Sequence, residues 1–333
     1  MNAQHTGRKR IIKTMKNCLN LFSSNPLPKK NHNTHVPRVR ITRVWVPGYI
    51  ALLLTAFSCF SCTRHAVSGK HSHAILISIM QSGTIWERIH AAEYLLALDL
   101  DRRIIREMFR QELTKTAAGT PDNIGILRVL AQADSDNRQE YCEKIARTLL
   151  VRSNTGFIHA IEALGKLHYP VNEQSMRLIS RLADDKDVLL ASYSQVYLGV
   201  MNYPGYSSIL IRNLTGTNMT YRIPAANLYF YTSAVEHQAE SVLRSILKDQ
   251  NESILLRTCV LGVLAKHNLL TRSEVLDFFQ QNPLEGKPLR FALIALAQVP
   301  GKDNPQQLLL WLGSNDNETK AAAAYAALSR RKL

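Results

Sequence analysis

The sequence predicts an all-α protein: an α-solenoid of about seven stacked helical hairpins, behind a disordered basic leader and one hydrophobic segment. Three observations lead there. From residue 84 onward, apolar residues recur at helical spacing, as in Ile89, Ala92, Leu95 and Leu96. A basic residue followed by an alanine-rich apolar run recurs at a pitch near 34 residues. A proline recurs at the same point after that run, where a helix must stop.

The reference stretch runs from Arg88 to Leu98. Thr84 can cap its start, and Ala91, Ala92 and Ala97 are strong helix formers that let a neighbour approach closely. Asp99 to Asp101 makes a short connection. Ile104, Ile105, Met108, Phe109 and Leu113 then give a second amphipathic helix. One such hairpin cannot bury its apolar faces alone and needs stacked neighbours.

Copies follow. His159 to Leu164 matches His90 to Leu95 at an offset of 69 residues, and Arg222 to Ala226 matches Arg88 to Ala92 at 134. Arg257, Arg290 and Lys320 come next at steps of 35, 33 and 30, each opening an apolar run. Pro170, Pro204 and Pro300 supply the second mark of the register.

A basic residue, an Ala-rich helix with Leu at core positions, a short turn and a second amphipathic helix together resemble HEAT repeats. The short pitch is most similar to HEAT-like repeats of the phycobilisome-lyase type. The likeness covers about residues 73 to 333, with Pro224 and Cys259 departing from the usual pattern. It implies a solenoid used for protein–protein contact, with second helices lining the concave face. Some relatives attach chromophores, but no residue here marks that activity.

Upstream, residues 1–43 carry ten Lys and Arg and no acid, and the first acidic residue is Glu87. Of the 15 excess positive charges, 12 lie in residues 1–86. The basic character therefore belongs to the leader. Pro26, Pro28 and Pro37 among polar residues predict disorder. Few aromatics and an adjoining hydrophobic segment argue against nucleic acid as the partner.

Residues 44–62 form that segment, with Arg38, Arg40 and Arg43 before it. It resembles a bacterial lipoprotein signal peptide, which implies lipidation at Cys62, with Cys59 as the alternative. The other reading is an uncleaved anchor, while a buried core helix is disfavoured by the basic flank and the separation from the repeats. Either places the protein on a membrane of the bacterial cell envelope. Residues 63–73 read as a tether, and Ala74 to Met80 as a short helix capping the stack at the head of a repeat domain over 74–333. The tether histidines His65, His71 and His73 lack the fixed geometry a metal needs.

Two groups of residues are candidates for a binding surface. Arg103, Arg106 and Arg110 lie on the polar side of a second helix, and Arg177 with Arg181 takes a comparable place later. Seven of the twelve tyrosines fall within 39 residues: Tyr193, Tyr197, Tyr203, Tyr206, Tyr221, Tyr229 and Tyr231. Tyrosine joins a flat apolar face to a hydroxyl, which suits interfaces; the bland alternative is core filling. His90 with Glu93 and His159 with Glu162 have spacing for proton transfer, but their repeat register fits a structural role. Cys142 and Cys259 read as small core residues. No P-loop, dinucleotide fingerprint or nucleophile elbow appears. The expectation is a non-catalytic protein–protein scaffold of the cell envelope, without cofactor or metal. The alternative is an enzyme or enzyme subunit, lyase-like, with its site in the concave groove.

Overall fold

A computed structural model of the chain describes residues 69–301 and 307–329. Sixteen α-helices and one 3-10 turn fill them, with no strand among the described residues. The helices are α1 (Gly69–Ser82), α2 (Ile85–Ala97), α3 (Arg102–Leu113), α4 (Pro121–Ala133), α5 (Arg138–Arg147), α6 (Phe157–Lys166), α7 (Glu173–Leu182) and α8 (Val188–Val200). After them come α9 (Tyr206–Thr215), α10 (Met219–Tyr229), α11 (His237–Lys248), α12 (Ile254–Lys266), α13 (Arg272–Gln281), α14 (Gly286–Gln298), α15 (Gln307–Leu312) and α16 (Asn317–Ser329). The predicted leader, the hydrophobic segment with Cys59 and Cys62, and the first part of the tether lie outside the described residues.

The even-numbered helices are the repeat's first helices, and the longest-buried of them are apolar on nearly every face. Every residue of α12 from Leu256 to Ala265 is buried, and so is every residue of α16 from Ala321 to Leu328. The odd-numbered second helices bury a narrow stripe, such as Ile105 and Phe109 in α3 or Val275 and Phe278 in α13. A helix apolar all round needs neighbours all round, whereas a striped helix needs one. Accordingly α2, α4, α6, α8, α10, α12, α14 and α16 pack each on the next as an inner course, with the odd helices outside.

This corrects one expectation of the resemblance. The second helices, with Arg103, Arg106 and Arg110, face outward rather than lining a concave groove. Their single apolar stripe packs on the inner course, which leaves Arg103 exposed while Arg106 and Arg110 turn to Asp134.

The array also returns to its start. α16 packs on α2, and α1 packs on both. At this seam the rings of Tyr94 and Tyr325 stack with centroids 4.8 Å apart. His90 Nδ1 lies 2.8 Å from Glu318 Oε1, and Asn317 Nδ2 donates to Glu87 at 3.3 Å. The expected N-terminal capping helix therefore does something else. It begins at Gly69, takes in His71 and His73, and bridges the first and last hairpins rather than covering an exposed end.

Four inner helices end alike. Asp99, His168, Asn202 and Asn268 follow α2, α6, α8 and α12 in the left-handed region, at φ of 60°, 50°, 54° and 57°. The next amide then returns to the carbonyl five residues back: Leu100 to Leu95, Tyr169 to Leu164, Tyr203 to Leu198 and Leu269 to Leu264. This Schellman closure satisfies end carbonyls and turns the chain outward. Pro170 and Pro204 follow two such corners. Pro300 follows a different one, because Val299 is extended and α14 has no left-handed residue after it.

The basic residue of the repeat has a definite task. In α2, Arg88 Nε donates to the Met80 carbonyl of α1 at 3.0 Å, and its Nη2 lies 3.1 Å from Glu112 of α3. In α10, Arg222 Nε donates to the Leu214 carbonyl of α9 at 2.9 Å, and both Nη groups reach Glu252 at 2.8 and 2.5 Å. In α12, Arg257 Nε donates to the Leu247 carbonyl of α11, and Nη1 to Asn282 beyond α13, each at 3.1 Å. One guanidinium thus ties the end of the preceding outer helix to a polar group near the end of the next. Gln195 of α8 does the same with an amide, donating to Ala183 at 2.7 Å and accepting from Asn213 at 2.6 Å. Outer-helix arginines work in the other direction. Arg102 donates to the Gln132 carbonyl at 2.8 Å, Arg244 to Leu269 at 2.8 Å and Arg272 to Val299 at 3.0 Å.

Replacing Arg222 by Met should lower the unfolding free energy by about 2–4 kcal/mol, since it strands a part-buried Glu252 and the Leu214 carbonyl. Arg103→Met, at an exposed position, should stay within about 0.5 kcal/mol of the parent. Urea titration of both measures this, and matching midpoints would contradict the tie that Arg222 makes between Leu214 and Glu252.

Candidate binding groove and the charged interior

On the outer wall, Tyr203 of the tyrosine cluster meets the second-helix arginines Arg177 and Arg181. Glu173, Met176, Arg177, Ser180 and Arg181 of α7 and Tyr203 from the α8–α9 corner line an open groove of about 670 Å³. The local sequence builds it. Asn172 caps α7 by accepting from the Ser175 amide at 2.9 Å. Asn202 in the left-handed region, followed by Pro204 and by Gly205 at φ 85°, turns the corner and presents Tyr203. Tyr203 is 42% exposed, and Tyr206 meets it edge-on with centroids 5.9 Å apart. Arg177 pairs with Glu173, whereas the exposed Arg181 donates to the Arg177 carbonyl at 3.3 Å. An exposed aromatic face beside arginine is a surface suited to an apolar anchor with a carboxylate nearby.

The other candidate residues are dispersed. Tyr193, Tyr197 and Tyr229 are buried. The Tyr197 hydroxyl donates to the Tyr169 carbonyl at 3.0 Å and accepts from the Val171 amide at 3.1 Å, bracing one corner. Tyr221 is half-buried in α10, and Tyr231 sits against Lys166 and Lys266. Arg106 and Arg110 converge on buried Asp134 at 3.9 and 2.7 Å, while Arg103 is exposed. Cys142 and Cys259 are free and buried, and burial pushes the Cys259 thiol up to about 12.

The interior joins the His90, Glu93, His159 and Glu162 of the sequence reading to charges it did not single out, Arg128, Lys166 and Glu318. Arg128 of α4, only 4% exposed in its side chain, lies 2.6 Å from Glu93 of α2. Glu162 of α6 holds Lys166 at 2.8 Å and has His159 at 3.8 Å. His90 faces Glu318 instead of Glu93, and Arg290 approaches the same carboxylate at 3.5 Å. The two histidine–glutamate motifs therefore have different partners: one spans the seam, the other stays within its helix. The available signal was a lone charge inside an apolar run, as with Arg128 between Leu127 and Val129.

Burial is the largest influence on both interior carboxyls and would raise them. For Glu162, Lys166, the contact with His159 and the charge of Arg128 outweigh it and hold the carboxyl well below the usual glutamate range. Glu93 is lowered in the same way by Arg128 and Lys166. Among the described residues, no three potential metal ligands gather, and no helix is long and apolar enough to cross a membrane.

No family model, curated protein or solved structure matches the chain.

The two depressed carboxyls set an acid dependence. Each stabilises the fold fully above the ordinary glutamate value of 4.5, and that contribution is lost as pH falls through the lower folded value. Glu162→Gln should be less stable than the parent at pH 7, and its stability should fall less steeply below pH 4.5. Urea midpoints between pH 7 and pH 3 measure the slope; equal slopes for the two proteins would contradict the assignment.

Proposed function

We propose that the protein is a non-catalytic protein–protein interaction scaffold of the bacterial cell envelope. In this reading it is a HEAT-like array of about seven hairpins, tethered to a membrane through residues 44–62, with Cys62, or else Cys59, as the lipidated residue. The partner is a protein segment that seats an apolar side chain against Tyr203 and a carboxylate against Arg181.

The observation that carries the interaction reading is the groove between α7 and the Tyr203 corner. Its walls are held in place before any partner arrives. Asn172 caps α7, the Schellman bond from Tyr203 to Leu198 closes at 2.8 Å, and buried Tyr197 braces the corner before α7. Preorganised walls spare the ordering entropy that a flexible surface would lose on binding. The interior charges, by contrast, are committed to one another, which supports a structural role for them.

Affinity capture from detergent-solubilised membranes tests this. The parent chain should retain a stoichiometric protein partner. The double variant Tyr203→Ala, Arg181→Glu should keep its helical circular dichroism and bind about tenfold or more weakly, as expected for loss of an aromatic anchor and reversal of a charge. Undiminished recovery with the double variant would remove the groove from the proposal. Fatty-acid labelling that persists when Cys59 and Cys62 are each replaced by Ser would remove the lipid anchor.

A further inference from the structure

The groove beside α7 has a direction. Glu173, Arg177 and Arg181 fall at i, i+4 and i+8 along α7, and Met176 and Ser180 form the adjoining row at the same spacing. All five line the groove, with Tyr203 joining them from the α8–α9 corner. Two adjoining rows of one helix line a groove together when it runs along the helix. From Glu173 to Arg181 that length is about 12 Å, at 1.5 Å per residue. Among the described helices α7 packs closely on α8 alone, which leaves its outer side open over this length.

The wall that α7 supplies offers side chains and no free backbone edge. Its amides and carbonyls are bonded within the helix, and the Ser175 amide near its start is taken by Asn172. An extended partner segment relies on main-chain hydrogen bonds to the edge of a sheet, and the described residues contain no strand. A helical partner satisfies its own backbone and needs only side-chain contacts. Its own i, i+4 ridges fit between the rows of α7, as helices commonly pack.

Charge then sets the orientation. Glu173 opens α7 with its side chain 84% exposed, and it pairs with Arg177. Arg181 stands exposed in the last turn, where its Nε donates to the Arg177 carbonyl and no carboxylate of the described residues is in ion-pair contact with it. A complementary helix carries a base toward Glu173 and an acid toward Arg181. Laid antiparallel to α7, it has the acid toward its N-terminus and the base toward its C-terminus. A helix's own dipole favours that order and opposes the reverse.

Resting on the interaction reading above, we propose that the groove takes an amphipathic helix of a protein partner, running antiparallel to α7. The helix carries an acidic residue, an apolar anchor and a basic residue at i, i+4 and i+8. The acid meets Arg181, the anchor lies against Tyr203 and Met176, and the base meets Glu173.

Fluorescence anisotropy of the full chain in detergent tests this with four labelled alanine- and glutamine-based peptides of about 18 residues. The first carries Glu, Leu and Lys at i, i+4 and i+8. The second exchanges Glu and Lys, the third adds central prolines to the first, and the fourth has Lys at both charged positions. The first should bind saturably and about tenfold more tightly than the second or the third, since proline breaks the helix. Arg181→Glu should weaken the first peptide about tenfold and bind the fourth more tightly than the parent chain does. Equal binding of the first and second peptides would overturn the orientation, and undiminished binding of the third would overturn the helix. Absence of saturable binding by all four would overturn the proposal too. In that event the Tyr203→Ala, Arg181→Glu chain separates the two ideas. Loss of its captured partner would leave the groove as the contact surface, whereas undiminished capture would remove the groove as well.

Discussion

The guanidinium that three of the inner helices direct into their own seams is the constraint on which the rest depends. Helix ends leave carbonyls without intrahelical partners, and a stack of short helices multiplies such ends. Arg88, Arg222 and Arg257 each place Nε on a carbonyl in the last turns of the preceding outer helix. Their Nη groups reach forward to Glu112, Glu252 and Asn282. Burying such a cation is costly, and a buried ion pair seldom improves on an apolar pair for stability alone. Its effect here is register. A neighbouring layer displaced by one helical turn would leave both the carbonyl and the carboxylate unpaired, whereas apolar stripes could slide with less penalty.

Register held layer after layer lets the inner course come back on itself. Glu318 illustrates what closure requires, since it pairs with His90 of the first hairpin and is approached by Arg290 of the preceding one. Without the seam, the α1, α2 and α16 faces that meet there would be open to water, including Leu76, Met80, Ala322 and Ala323, all of them fully buried. With it, the inner helices hold Glu93, Arg128, Glu162 and Lys166 as one group of mutually interacting charges. The Tyr203 groove lies on the outer helices.

Much of the fold was legible because helices and corners are local. Apolar spacing placed α2 and α3 correctly, and the basic residue at Arg88, Arg222 and Arg257 kept its register because it keeps its task. The inner and outer courses could also have been read from the sequence. Leu256 to Ala265 is apolar apart from Arg257 and Thr258, while Arg102 to Leu113 has a single stripe. Closure could not be read that way. His90 and Glu318 are 228 residues apart, and neither carries a mark that points to the other. The tyrosines show the limit of composition. Tyr193 and Tyr197 share one face of α8, and that face is buried, whereas Tyr203 is exposed because a left-handed Asn202 ends the helix just before it. Clustering in sequence did not distinguish these cases; the corner did.

Closure is tested most directly by joining its two sides. In a full chain whose other cysteines are replaced by serine, Cys in place of Tyr94 and Tyr325 should cross-link within one molecule when treated with a short bismaleimide, to near completion and without dimers. The stacked rings at 4.8 Å leave no room for any other outcome in a ring. If the pair stays unlinked while a control pair across α2 and α4 reacts, the array is open, and the seam and the bridging α1 go with it.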